Sequence, residues 1–282
     1  MKIPNQLITA LTLYFLLACG SQPTTENPAE NSNSSAPSPS SEPASNSNNN
    51  NLPSDELDRL AERFTGTYAV LSTVTTVQTL PLIGESNTIT HAYSLNTISR
   101  TDDGFGVSEK GCHVTSIPES GITTEISDVI PQSIPTTIHP IYIWEENGTL
   151  QWSRPEKTVL MGAMLDNPAN DVLPTSADDS RVWDQDQDGK PGITVSVSGF
   201  ISGDIYVVQR TINSYSGTIT DDDNFEGLIH EHGEQNVLDA TNPMLSQNIP
   251  TQPHTDPSLN TIQMIRVDTD TTCEQFIQQK ES

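Results

Sequence analysis

The chain has 282 residues, with 12 Lys or Arg against 37 Asp or Glu, so its formal net charge is −25 at pH 7. A surface this acidic repels nucleic acid and anionic lipid headgroups and attracts cations, which excludes nucleic-acid binding. Plain solvation, as in adaptation to a saline habitat, explains the acidity more simply than an acidic binding surface does.

The N-terminus has the pattern of a secretory signal. Lys2 precedes a short apolar run over residues 7–17, and the small residue Ala18 precedes Cys19. The run is too short to span a bilayer, which takes about 20 apolar residues. The pattern therefore predicts an exported chain.

Leu16-Leu17-Ala18-Cys19 resembles the lipobox of bacterial lipoproteins. The resemblance implies a signal peptide over residues 1–18, cleavage before Cys19 and acylation of that cysteine, including palmitate-type chains. Two or more acyl chains anchor a protein stably to a membrane. Gly20 stands where aspartate commonly signals inner-membrane retention, so the resemblance favours the outer membrane. The alternative is an ordinary signal peptide followed by an incidental cysteine.

Residues 19–53 are predicted to form a disordered tether that carries the lipid. The segment is rich in Ser, Asn and Pro and has almost no apolar residues, so it cannot bury enough surface to offset its ordering entropy. As a flexible coil it would span about 30 Å. Residues 54–282 are long enough for one large domain, and we expect a single β-rich domain there.

Cys112 and Cys273 remain once Cys19 is assigned to lipid. In an exported protein, two spare cysteines predict a disulfide, and a loop this long would stabilise the fold by about 5 kcal/mol at most. Two free thiols are the alternative. The bridge would connect the C-terminal segment to an early strand.

The elements predict an all-β fold, an antiparallel barrel or sandwich with a short N-terminal helix. Ser54 can cap a helix over residues 55–63, and residues 273–280 can form a terminal helical turn. Turns are expected at 102–104, 146–148, 202–203 and 215–217. Alternating or β-branched runs predict strands at 65–80, 89–97, 112–117, 122–130, 138–144, 149–152, 193–200, 205–212, 215–220, 228–238 and 261–267.

Gly66-Thr67-Tyr68, at the start of the first predicted strand, is similar to the Gly-x-Trp start of lipocalin-like barrels, with Tyr in place of Trp. The similarity covers three residues. It implies a closed antiparallel barrel.

Asp184, Asp186 and Asp188, followed by Gly189, form the sharpest motif in the chain. Carboxylates at every second position and a glycine that permits a tight turn can surround one hard cation with oxygens. The motif resembles the first half of an EF-hand loop and the Asp-rich loops of thrombospondin-type calcium repeats. We therefore expect a structural Ca²⁺ site. A solvated acidic hairpin loop is the alternative.

The second half of the motif departs from an EF-hand. Pro191 and Val195 stand where an apolar residue and a bidentate Glu belong. The remaining ligands must therefore come from elsewhere, and we expect Asp178 and Asp179 from upstream and the carbonyl of Lys190.

Three further stretches resemble a set of uncharacterised lipoproteins from myxobacterial-type envelopes. They are residues 178–183 leading into Asp-x-Asp-x-Asp-Gly-x-Pro-Gly-Ile-Thr, the segment Gly203-x-Ile-Tyr-Val-x-Gln-Arg, and Thr272-Cys273. The similarity covers about the last hundred residues, together with the lipobox. It implies an outer-membrane or surface lipoprotein and adds no activity.

No catalytic residue is predicted, because the chain lacks the nucleophile elbow, the Ser-x-x-Lys pair and phosphate-cradling glycine loops. On a strand, His230 and His232 would share a face and could chelate zinc with Glu234, although two surface histidines are the commoner outcome. Trp residues could line a sugar-binding cleft or fill the core: Trp144, Trp152 and Trp183.

These features predict a lipid-anchored envelope protein with a Ca²⁺-stabilised, non-catalytic β-domain that serves binding or structure. One alternative is a lipocalin-like carrier of a small apolar ligand, because a barrel of eight or more strands can enclose one. Another alternative is a hydrolase of envelope polymers that uses acidic residues near the calcium loop.

Overall fold

The structure is a computed structural model that describes residues 53–80, 84–102 and 104–281. These residues belong to one compact unit, Asn46–Ser282. The predicted leader, Cys19 and nearly all of the predicted tether lie outside the described residues.

The described part of the chain is built mostly from antiparallel strands. The helices are α1 (Ser54–Phe64), α2 (Val129–Ser133) and α3 (Cys273–Glu281). The strands are β1 (Gly66–Leu80), β2 (Gly84–Thr101), β3 (Gly104–Pro118), β4 (Thr123–Ile126), β5 (Ile138–Glu146), β6 (Thr149–Met161), β7 (Ile193–Ser198), β8 (Gly203–Asp221), β9 (Asn224–Ala240), β10 (Thr251–Pro253) and β11 (Asn260–Val267).

Eight strands close into a ring in the order β1, β2, β3, β5, β6, β8, β9 and β11, and β11 pairs again with β1. All of these pairings are antiparallel. β7 pairs with the first part of β8, beyond the end of β6, and β4 extends the sheet from β7. The ring confirms the predicted all-β class and is a barrel, which has no open sheet edge within the ring.

Helix α1 packs against one end of the ring interior. Leu57, Leu60 and Phe64 recur on one helical face, are buried, and join the core that contains Tyr68 and Phe225. The Tyr68 hydroxyl donates a hydrogen bond of 2.9 Å to the Phe64 carbonyl. This aromatic cluster ties α1 to the first strand of the ring.

The outer face of β1, β2 and β3 carries a second apolar cluster, which α3 covers. Leu95 and Ala69 pack there with Phe276 of α3. Cys112 and Cys273 form a disulfide across this contact with a Cα–Cα distance of 5.2 Å, so the predicted bridge is confirmed. The bridge spans 161 residues and connects the C-terminal helix to β3.

Two smaller clusters organise the other end of the ring. Ile130 of α2 packs with Ile193 and Val207, which joins α2 to β7 and β8. Leu173, from the long connection between β6 and β7, packs with Val208 on the opposite face of β8. Val207 and Val208 are both buried, so β8 is buried on both faces here, as its sequence predicts.

Three local predictions were wrong. Ser54 is the first residue of α1 and makes no capping hydrogen bond, because Pro53 occupies the N-cap position. The predicted strand 122–130 ends at Ile126, and the chain then turns into α2. Residues 215–217 do not form a turn, because β8 runs through them from Gly203 to Asp221.

The predicted turn at 146–148 is present, whereas Asp103 of the predicted turn at 102–104 lies outside the described residues. Asn147 and Gly148 join β5 to β6 with φ angles of 53° and 78°, as expected of an Asn-Gly hairpin turn. The C-terminal helical turn is also confirmed, as α3.

Candidate functional site

Asp184, Asp186 and Asp188 come together in the connection between β6 and β7. One oxygen atom from each carboxylate lies within 4.8 Å of the others, so the group could hold a metal ion. Gln187 and Gly189 have φ angles of 60° and 83°, in the left-handed region. These two residues bend the loop so that alternate side chains converge.

Hydrogen bonds from the loop and from β7 fix the three carboxylates. Asp184 accepts from the backbone N–H groups of Asp188 and Gly189 at 3.2 and 2.9 Å. Thr194 donates its N–H to Asp186 at 2.9 Å and its hydroxyl to Asp188 at 2.6 Å. The acidic loop is therefore held against the start of β7.

Asp186 carries a buried carboxylate oxygen. Its Oδ1 is buried and has no hydrogen-bond partner among the described residues. Burial raises the pKa of Asp186, the Thr194 N–H opposes this, and the charges of Asp188 and Asp184 raise it further. A buried charged oxygen without a partner is costly, and a bound cation would remove that cost.

Gln185 anchors the loop to the rest of the fold and was missed by the sequence analysis. Its side chain is almost fully buried, and its Oε1 accepts from the Gly162 N–H at 2.8 Å. Its Nε2 donates to the Ile130 carbonyl at 3.2 Å and to the Ser133 hydroxyl at 2.9 Å. A Gln between two acidic residues is expected to be solvated, so only the packing of α2 reveals this role.

Asp178 and Asp179, the other acidic residues predicted as ligands, are not members of the three-carboxylate group. The Asp179 carboxylate pairs with Arg181 at 2.7 Å, and these hydrogen bonds lower the pKa of Asp179 to about 2. Asp178 is exposed. The Lys190 N–H donates to Asp188 at 2.8 Å, and its ammonium lies 5.6 Å from the ring centre of Tyr206.

The His230 and His232 side chains are exposed on β9 and share one face, as predicted for a strand. Glu234 forms an ion pair with Arg210. Among the described residues, the side chains that converge as a group of three possible metal ligands are those of Asp184, Asp186 and Asp188. Neither His230 nor His232 belongs to this group.

A charged cluster inside the ring was not predicted. Arg154 and Lys157 of β6 pair with Glu109 of β3 at 3.2 and 2.5 Å. The Arg154 guanidinium also stacks 3.8 Å from the ring centre of Tyr215 and donates to the Asn213 side chain at 2.5 Å. Burial, followed by the Glu109 charge, raises the pKa of Tyr215 to about 12.

Two more titratable groups lie near this cluster. Burial raises the pKa of Glu231, although a hydrogen bond with Asn213 partly opposes the shift. Burial and the charge of Lys157 lower the pKa of His139. The alternating pattern allowed these residues on either face, and only the closure of the ring shows which face is inside.

The three tryptophans have different environments. Trp152 is buried in the ring interior and donates its indole N–H to the Glu226 carbonyl at 3.0 Å, so it is a core residue. Trp183 is half-buried beside the Asp loop. Trp144 is half-buried and lines a groove on the outer wall.

Comparison of the chain with family models, with curated proteins and with solved structures gives no match. Among the described residues, no helix combines the length and the apolar character that a membrane crossing requires.

Proposed function

We propose that this protein is a lipid-anchored component of the bacterial cell envelope whose β-domain is stabilised by Ca²⁺ and serves binding or structure. The convergence of Asp184, Asp186 and Asp188 is the observation that carries the calcium assignment. The lipobox sequence ending at Cys19 supports the anchor and favours the outer membrane.

The donor set supports a hard cation. Three carboxylates offer only oxygen ligands, which suit Ca²⁺ and Mg²⁺. Ca²⁺ fits the loop better, because it accepts irregular geometry and more ligands, whereas Mg²⁺ demands a near-ideal octahedron. The enclosed Oδ1 of Asp186 supplies a ligand atom that no described residue satisfies.

A structural role for the cation follows from the position of the loop. Thr194 is the second residue of β7 and bonds to both Asp186 and Asp188, while Gln185 connects the loop to α2. A cation that neutralises the carboxylates would stabilise the folded β6–β7 connection by mass action. The loop then fixes the position of β7 and has no need to act on a substrate.

Thermal unfolding of the full chain in detergent tests the calcium assignment. We expect EDTA to lower Tm by several degrees and added Ca²⁺ to restore it. Asp186→Asn should abolish the difference, whereas Asp178→Asn, at an exposed carboxylate outside the group, should keep it. Identical melting curves of the parent with EDTA and with Ca²⁺ would contradict the assignment.

Cell fractionation tests the anchor separately. The parent chain should partition into the membrane fraction and incorporate labelled palmitate. Cys19→Ser should lose the label and move to the soluble envelope fraction, because a chain without acyl groups has no anchor. A Cys19→Ser chain that stays membrane-bound and keeps its label would disprove the assignment of Cys19.

No specific observation favours the two alternative functions, a carrier of an apolar ligand and a hydrolase of envelope polymers. The ring interior beside α1 is filled by Tyr68, Trp152 and Phe225, and the next inward layer holds the paired charges of Glu109 and Arg154. An apolar ligand would have to displace these side chains. We therefore do not propose either activity.

A further inference from the structure

An open groove of about 550 Å³ lies on the outer wall of the ring, away from the Asp loop. Five of its side chains form one row across five neighbouring strands, because each is the register partner of the next. The row is Trp144, Gln151, Thr218, Glu226 and Gln263. It extends about 19 Å, which is four interstrand spacings.

Two glycines line the groove behind this row. Gly217 and Gly227 are partners in the β8–β9 pairing and face the ring interior. A Cβ atom at Gly217 would overlap the Glu226 carbonyl, and one at Gly227 would overlap the Ser216 carbonyl. Only glycine allows this close approach of the two strands, and the groove lies over it.

The groove side chains have unused hydrogen-bonding capacity. Within residues 53–80, 84–102 and 104–281, the side chains of Gln151, Thr218 and Gln263 have no hydrogen-bond partner. The indole of Trp144 also lacks a hydrogen-bond or ring partner there, in contrast to that of Trp152. An aromatic surface beside free amides and hydroxyls is suited to a ligand with an apolar face and a polar edge.

The charge of the protein narrows the ligand class. Stacking on an aromatic ring also suits nucleic-acid bases, but phosphates would meet a chain of net charge −25 and the carboxylate of Glu226. A purely apolar ligand would leave the groove amides desolvated and unpaired, which is costly. A neutral sugar satisfies both conditions, because its ring has an apolar C–H face and a rim of hydroxyls.

We propose that this groove binds a neutral oligosaccharide, with one sugar ring stacked on Trp144 and further hydroxyls bonded to Gln151, Thr218 and Gln263. Glu226 accepts hydrogen bonds from hydroxyl groups and disfavours acidic glycans. The length of the row accommodates several sugar units and its open ends admit an internal segment of a chain. This assignment rests on the proposed binding role of the domain and specifies its ligand class.

Isothermal titration of the full chain, in a detergent without a sugar headgroup and with saturating Ca²⁺, tests the proposal. The probes are the hexasaccharides of cellulose, amylose, chitin and β-mannan, together with hexagalacturonate as the acidic comparison. We expect saturable binding of at least one neutral hexasaccharide and binding of hexagalacturonate at least tenfold weaker. If no neutral hexasaccharide binds, the proposal is overturned.

Variants locate the binding. Trp144→Ala and the double variant Gln151→Leu with Gln263→Leu should each lose at least tenfold in affinity. Trp144→Phe should keep part of it, and this variant guards against a loss caused by misfolding. Phe200→Ala removes an exposed aromatic ring outside the groove and should bind like the parent. Full affinity in Trp144→Ala would also overturn the assignment.

The outcomes of the calcium and fractionation experiments do not depend on the outcome of the oligosaccharide titration. A parent chain that shows the EDTA effect on Tm but binds no hexasaccharide keeps its proposed calcium-stabilised domain and loses only the groove assignment.

Discussion

The two halves of the ring interior have opposite chemistry. Beside α1 the interior is aromatic. The centre of the Phe225 ring lies 5.2 Å from the centre of the Tyr68 ring and 5.7 Å from the ring centres of Phe64 and Trp152. At the next inward position of β6 after Trp152 stands Arg154, where the charged cluster begins. One strand thus contributes to both halves within three residues.

The two halves are stabilised in different ways. Burial of apolar surface is non-directional, and each side chain contributes whether or not one neighbour is changed. The charged half depends on pairing, because two buried cations share the single carboxylate of Glu109, and each loses its hydration on folding. The apolar half should therefore be sensitive to lost volume and the charged half to lost partners.

The largest expected effect is in the apolar half. Phe225→Ala removes the ring at the centre of three aromatic contacts and leaves a cavity, so we expect a loss of about 4 kcal/mol in the free energy of unfolding. Denaturant titration of the full chain measures it. Phe200→Ala, at a ring that is 64% exposed, is the matched control and should change stability by less than about 0.5 kcal/mol. Equal effects of the two variants would show that the cluster beside α1 is not the core.

The second effect is in the charged half. Glu109→Gln keeps the shape of the side chain but leaves Arg154 and Lys157 without a counter-charge, so we expect a loss of about 3 kcal/mol. Glu56→Gln, in the exposed pair with Arg59, is the control and should leave the denaturation midpoint unchanged. A Glu109→Gln chain as stable as the parent would mean that water, and not Glu109, compensates the two cations.

A third variant, with a smaller expected effect on stability, tests whether the charged half depends on its ion pairs or on the volume of its side chains. Replacing all three charges together, as Glu109→Leu, Arg154→Met and Lys157→Met, removes the desolvation cost along with the pairing. Stability should return to within about 1 kcal/mol of the parent, because apolar side chains of similar size often replace a buried ion cluster without loss. If the triple variant is as unstable as Glu109→Gln, the acceptors that Arg154 satisfies on Asn213 and Pro155 dominate the site.

The sequence predicted what local patterns encode. β-branched runs gave the strands, Asn147-Gly148 gave a hairpin, and the two cysteines other than Cys19 gave the bridge. The spacing of Asp184, Asp186 and Asp188 gave the loop, because alternate carboxylates followed by a glycine converge in any tight turn. The strands, the hairpin and the Asp loop depend on residues that are close in sequence. The bridge was predictable because the chain has no other cysteine besides Cys19 that could pair.

Features that depend on ring closure were not predictable. Tyr215-Ser-Gly217 resembles a turn, yet Gly217 is needed where β8 meets Gly227 of β9. The pairing of Glu109 with Arg154 spans strands that are not neighbours in sequence, and the role of Gln185 depends on contact with α2. These contacts depend on the order of the strands in the ring. The residue pattern of a single strand does not reveal that order.

The smallest effect concerns Glu231, at the edge of the charged half. Burial raises the pKa of this carboxyl in the folded chain above its ordinary value of 4.5. Below pH 4.5 the group is protonated in both the folded and the unfolded chain, so ionisation costs the fold nothing. As the pH rises through the folded pKa, the folded chain must ionise a group that the unfolded chain has already ionised, and stability falls.

Glu231→Gln removes this titration but preserves an acceptor for Asn213. The variant should therefore match the parent at pH 3.5 and become the more stable chain near neutral pH, with the difference constant above the folded pKa. Denaturant midpoints of both chains over the pH range measure it, and the acidic points serve as an internal control. A difference that is the same at every pH would assign the effect to packing, and Glu231 would then belong with the apolar half in its dependence on shape.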